Sequence, residues 1–152
     1  MPGKVITFSL QKGGVGKTTT STLTAFLLSQ RGYKVLAIDL DSQGNMTQIL
    51  SDTDDLSVFE SNTVREGMLQ GNLKPYIRVA NDTLHYLPAD DYLVLLADYE
   101  GAIPRHELLI ASLIDLLDDY DYIIIDTPPN LGVQTLNALV ASDYVVIMFE
   151  TA

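Results

Sequence analysis

The sequence predicts an α/β fold, doubly wound around a mostly parallel sheet. Three observations carry this expectation. Short apolar, β-branched runs alternate with helical patterns along all 152 residues. Residues 4–40 read as strand, helix and strand, a βαβ unit whose crossover is right-handed. The runs at 34–40, 121–126 and 144–149 are nearly all apolar, as parallel strands covered on both faces are.

The first strand is KVITFS at 4–9, which feeds a glycine-rich loop. A helix follows from Lys17 to about Gln30, with Leu23, Phe26 and Leu27 on one face and Gly32 placed to end it. KVLAIDL at 34–40 is the second strand and ends on an aspartate. Asn45 to Leu50 forms a short helix, and the acidic SDTDD at 51–55 is a loop. Thr63 and Glu66 have capping-box spacing, so a helix over 64–70 should start there and stop at Gly71. TLHYL at 83–87 is a strand closed by Pro88, and 91–99 is helical. Pro104 suits a first helical turn, and Leu108, Leu109, Leu113, Leu116 and Leu117 form the apolar stripe of a longer helix. DYIIID at 121–126 is a buried strand before the turn TPPN. A helix at 132–141 then leads to a last buried strand, YVVIMF. Tyr120, Tyr122 and Tyr144 are read as packing residues, and His85 and His106 as surface or packing residues without a metal-site pattern.

No repeat, low-complexity tract or linker interrupts the pattern, which predicts one domain over 1–152. The chain stops just after a strand, with no closing helix, so the expectation is a fold incomplete on its C-terminal side. Cysteine is absent, which excludes disulfides, cysteine-ligated zinc and iron–sulfur clusters. Nine Lys and Arg stand against twenty Asp and Glu, a net charge of −11. The basic residues are scattered, which argues against a nucleic-acid surface on this stretch. No apolar run is long enough to span a bilayer and no signal-peptide pattern opens the chain, which fits a cytoplasmic protein.

The chemistry gathers at the predicted carboxyl ends of the strands, where open α/β sheets bind ligands. Lys12-Gly13-Gly14-Val15-Gly16-Lys17-Thr18 is a glycine-dense turn bracketed by two lysines, with Gln11 where the general phosphate-loop pattern has glycine. Its backbone N–H groups can curl around an anion at a helix N-terminus. Lys17 can lie along terminal phosphates, and the Thr18 hydroxyl can ligate Mg²⁺. Asp39 and Asp126 close two strands and could hold the metal through waters, while Asp41 could orient an attacking water.

Together these residues resemble the ParA/MinD group of P-loop ATPases, whose "deviant" Walker A motif carries a second lysine. Asp39-Leu40-Asp41-Ser42-Gln43-Gly44-Asn45 is similar to the ParA/Soj version of the next motif, with Ser42 where proline is usual. Asp126-Thr127-Pro128-Pro129-Asn130-Leu131-Gly132, with Thr135 to Leu139 after it, resembles that group's Walker B strand and following helix. The similarity runs from about residue 4 to the end and is weakest over 51–82.

The resemblance implies a P-loop NTPase fold with ATP and Mg²⁺ as cofactors. Gly13, Gly14, Val15, Gly16, Lys17, Thr18 and Thr19 would bind the phosphates. Thr18, Asp39 and Asp126 would serve the metal, and Asp41 the nucleophilic water. Lys12 would reach across a nucleotide-sandwich homodimer to the partner's phosphates, as an arginine finger does. Such proteins bind nucleoid DNA non-specifically, answer to a ParB-type centromere-binding partner, and segregate plasmids or chromosomes without a membrane. Two alternatives share the motifs: a MinD-type division-positioning ATPase, and a non-catalytic interaction module that pairs with longer copies. A small-molecule P-loop kinase or ligase is a further class, recognisable by a product other than free phosphate.

Overall fold

A computed structural model describes residues 2–10 and 16–149. Lys12, Gly13, Gly14 and Val15 lie outside the described residues. The strands are β1 (Lys4–Leu10), β2 (Val35–Asp39), β3 (Arg78–Asn81), β4 (Leu84–Leu87), β5 (Tyr122–Asp126) and β6 (Tyr144–Met148). They form one six-stranded sheet in the order β3-β4-β2-β5-β1-β6. Every pairing is parallel except that of β3 with β4. The helices are α1 (Lys17–Gln30), α2 (Asn45–Ser51), α3 (Val64–Gln70), α4 (Leu108–Leu113) and α5 (Val133–Ala141). This is the mostly parallel, doubly wound sheet that the alternating pattern predicts.

Central strands alternate between two apolar layers because successive side chains point to opposite faces. Leu36 and Ile38 of β2 and Ile123 and Ile125 of β5 join the larger layer, which also takes in Met68, Leu93, Leu109 and Ala138. Val35, Ala37 and Ile124 join the smaller one with Phe8, Ala25, Met46 and Leu84. Burial on both faces explains why these strands read as continuous apolar runs.

Two expectations gain detail and two need correction. The helix α1 buries Lys17, Ser21, Thr22, Ala25 and Ser29, whereas Leu23, Phe26 and Leu27 are exposed. Small side chains on the sheet side let the helix lie close to β5, so its apolar face points away. The predicted long helix after Pro104 is instead a 3-10 turn at Arg105–Glu107, then α4, then a 3-10 turn at Ile114–Leu116. Residues Asp91–Asp98 are helical as expected, in 3-10 form, opened by Asp90, whose side chain accepts the Tyr92 N–H. Finally, β6 is a partly exposed edge strand and not a buried one, and Tyr144 on it is 58% exposed.

The strand β3 had no sequence signal, because Arg78–Asn81 offers a single large apolar side chain, the exposed Val79. It forms because Asn81 turns the chain: its Oδ1 accepts the N–H groups of Thr83 and Leu84, both at 2.9 Å. His85 sits on β4, where its Nδ1 lies 2.8 Å from the buried Tyr120 hydroxyl, a packing contact.

The capping box on α3 is present. Thr63 Oγ1 accepts the Arg65 N–H at 3.3 Å, and Glu66 Oε1 accepts the Thr63 N–H at 2.9 Å. Gly71 ends the helix in the left-handed region at φ 69°. Thr63→Ala is expected to destabilise the chain by about 1 kcal/mol, read as a lower urea midpoint at unchanged m-value.

Candidate active site

Parallel pairing of β2 with β5 places Asp39 directly opposite Asp126 in register. Two carboxylates therefore share the carboxyl edge of adjacent central strands, and both are buried. The helix α1 begins at that edge. Its N-cap is Gly16 at φ 104°, a left-handed conformation that glycine adopts without strain.

From the first turn of α1, Lys17 Nζ reaches Asp126 Oδ1 at 2.5 Å, with 5% and 0% of the two side chains exposed. The same ammonium donates to the Thr127 carbonyl. Thr18 Oγ1 donates to Asp126 Oδ2 at 2.8 Å, and Ser21 Oγ donates to Asp126 Oδ1 at 3.1 Å. Asp126 thus takes one cation and two hydroxyls, a charge-assisted set that compensates its burial. Thr19 follows on α1 and lines an apolar groove with Leu23, Phe26, Ile49 and Leu84.

Among the described residues Asp39 has only neutral donors. Its Oδ1 accepts the Asp41 N–H at 3.1 Å, and its Oδ2 accepts the Thr47 N–H at 2.9 Å and the Thr47 hydroxyl at 2.7 Å. Burial first, and the neighbouring Asp126 carboxylate second, push the Asp39 carboxyl up to about 7. The bonds from Thr47 and Asp41 pull the other way. Asp41 is buried, and its Oδ1 accepts the Gln43 N–H at 3.0 Å in a turn that leads into α2.

The structure therefore brings Lys17, Thr18, Asp39, Asp41 and Asp126 to one edge of the sheet. Sequence reasoning missed Ser21, the Thr127 carbonyl and Thr47. A signal existed for Ser21, which lies one helical turn after Lys17 on the sheet-facing stripe. Thr47 carries a comparable mark, a polar residue in the first turn of a short helix, just after the Asp39 motif.

The donor set suits a hard divalent cation. It consists of oxygens only, and two buried carboxylates face each other, one of them, Asp126, bonded to the Lys17 ammonium. Among the described residues no group of three His, Cys, Asp or Glu could enclose a metal by itself. An ion here would be completed by water and phosphate oxygens, as Mg²⁺ sites commonly are.

A family profile described as an AAA domain matches residues 3–152. The sporulation initiation inhibitor protein Soj of Bacillus subtilis is 36% identical over 95% of this chain, which covers 57% of that protein. A plasmid partition protein from Borrelia burgdorferi B31 bound to AMPPNP superposes with TM-score 0.83 at 33% identity, over 97% of this chain and 62% of that one. Cobyrinic acid a,c-diamide synthase from Mycobacterium smegmatis, with a bound ATP analog and magnesium, has TM-score 0.82 at 36% identity, over 95% of this chain and 57% of that one. The chain spans a little over half the length of the curated relatives it matches, 57% for Soj and 52% for the ParA of Myxococcus xanthus.

Proposed function

The chain belongs to the AAA-domain family, among the Soj/ParA type of P-loop ATPases, and from that premise we propose that it binds and hydrolyses ATP with Mg²⁺ as part of a partition machine. The observation that carries this reading is the in-register pair Asp39 and Asp126, with Lys17 and Thr18 already bonded to Asp126. Solved neighbours that hold AMPPNP, or an ATP analog with magnesium, support the same cofactors.

Each residue then has a task. Lys17 exchanges Asp126 and the Thr127 carbonyl for the terminal phosphates, which offer it more negative charge. Thr18, which now donates to Asp126, would offer its hydroxyl oxygen to the metal, and Asp39 and Asp126 would hold the metal's waters. Magnesium, when bound, would supply charge neutralisation to the phosphates. Asp41 orients the attacking water, and Lys12 reaches the nucleotide of a second copy. Positioning and charge are most of what phosphoryl transfer demands. Cargo positioning, non-specific DNA binding, a ParB-type partner and nucleoid association complete the proposal.

Light scattering with Mg²⁺ and AMPPNP, for the wild-type chain and Lys12→Ala, tests it. The expected result is a nucleotide-dependent dimer that the substitution abolishes, with free phosphate as the product from ATP. A wild-type chain that binds no nucleotide would sink the reading. A product other than free phosphate would move the chain towards small-molecule ligation, as in the named synthase.

A further inference from the structure

Thr47 lies in the first turn of α2, is almost fully buried, and has had no role so far beyond its bonds. We infer that Thr47 is a positioning residue that fixes the orientation of the Asp39 carboxylate, an inference that rests on the ATPase reading of this edge. Three bonds converge on it. Its N–H and its hydroxyl both donate to Asp39 Oδ2, at 2.9 Å and 2.7 Å. The same hydroxyl accepts the Ala89 N–H at 2.9 Å. A hydroxyl has one proton, and with Ala89 acting as donor that proton goes to Asp39.

The need for such a clamp follows from the sheet. Asp39 and Asp126 face each other in register, and like charges in a buried place would turn the weaker-held carboxylate away. Asp126 is held by an ammonium and two hydroxyls, but among the described residues Asp39 has no cation as a partner. Two donors from one residue, converging on one oxygen, fix the carboxylate plane without adding charge. The third bond ties that clamp to the segment after β4, where the Pro88 carbonyl accepts the Val64 N–H at 2.9 Å. Thr47 thereby joins the metal side of the site to the start of α3.

The test is a Mg²⁺ titration of nucleotide binding by the whole chain, with wild type, Thr47→Val and Thr47→Ser, using AMPPNP as the probe. Valine keeps the shape and removes the hydroxyl, and serine keeps the hydroxyl. Thr47→Val should raise the Mg²⁺ concentration for half-saturation on the order of tenfold, the usual scale for losing an outer-shell partner. Nucleotide binding in EDTA should stay unchanged, and Thr47→Ser should restore the wild-type Mg²⁺ response. A merely structural role would move the melting temperature but not this split. If valine leaves the Mg²⁺ response unaltered, or serine does not rescue it, Thr47 has no positioning role.

Should valine fail to fold, the wild-type chain decides alone. Adding Mg²⁺ to its nucleotide complex should shift the Thr47 and Ala89 amide resonances, and unmoved resonances would overturn the inference. A wild-type chain whose nucleotide binding ignores Mg²⁺ overturns the ATPase reading and this inference together. Failure confined to the variants overturns the inference only.

Discussion

Lys17→Met should lose Mg²⁺-nucleotide binding by two orders of magnitude or more, about 3 kcal/mol, and destabilise the nucleotide-free chain as well. The second effect comes from the pairing described above. Lys17 Nζ and Asp126 Oδ1 are 2.5 Å apart in a place where neither side chain has appreciable exposure. Removing one member of a buried pair leaves an uncompensated charge, commonly at a cost of about 3–5 kcal/mol. Thr18 and Ser21 still donate to Asp126, which argues for the lower end. Replacing both partners, as in Lys17→Met with Asp126→Asn, removes the stranded charge. That double variant should regain most of the lost stability yet still bind no nucleotide. Urea melts and calorimetric titration of the four chains form a double-mutant cycle. A single variant as stable as wild type, or a double variant that binds, would contradict the assignment.

The second large effect is a pH dependence that belongs to Asp39. Its carboxyl is pushed from the ordinary 3.8 up to about 7 in the folded chain. For a carboxyl raised on folding, the folded state binds the extra proton, so the stability it contributes is fully present below about pH 4. That contribution is lost as pH rises through about 7. A rise of that size corresponds to about 4 kcal/mol at most. Asp39→Asn cannot ionise and should lack this loss, although its amide nitrogen faces one donor it cannot accept. The stability of the variant relative to wild type should therefore increase between pH 5 and pH 7.5 and level off above that. Thermal melts across that range check it, and parallel pH profiles would show that Asp39 does not titrate there.

Much of this site was legible in the sequence because its demands are local. A glycine at φ 104° before Lys17, two apolar runs ending on aspartate, and a Thr-x-x-Glu box each reveal themselves within a few residues. What was hidden depended on partners distant in sequence. Leu23, Phe26 and Leu27 satisfy a helical stripe, but nothing local says which face of α1 meets the sheet, and Ser21 meets it because Asp126 waits there. The apolar residues in β6 look like those of β5, but β5 lies between β1 and β2 whereas β6, among the described residues, adjoins β1 alone. Thr47 could be recognised only once Ala89 had been brought beside it.

That outer position of β6 bears on how the chain behaves when concentrated. Among the described residues β6 pairs with β1 alone, so its other edge, beside the exposed side chains of Val145, Val146 and Ile147, can take another strand. The charge of −11 opposes this by mutual repulsion between molecules, which reaches about 30 Å in 0.01 M salt but only about 8 Å at 0.15 M. Colloidal behaviour is thus set by a contest between a short-range adhesive edge and a repulsion that added electrolyte shortens. Dilute buffers keep the molecules apart, and salt brings the edges within reach of one another.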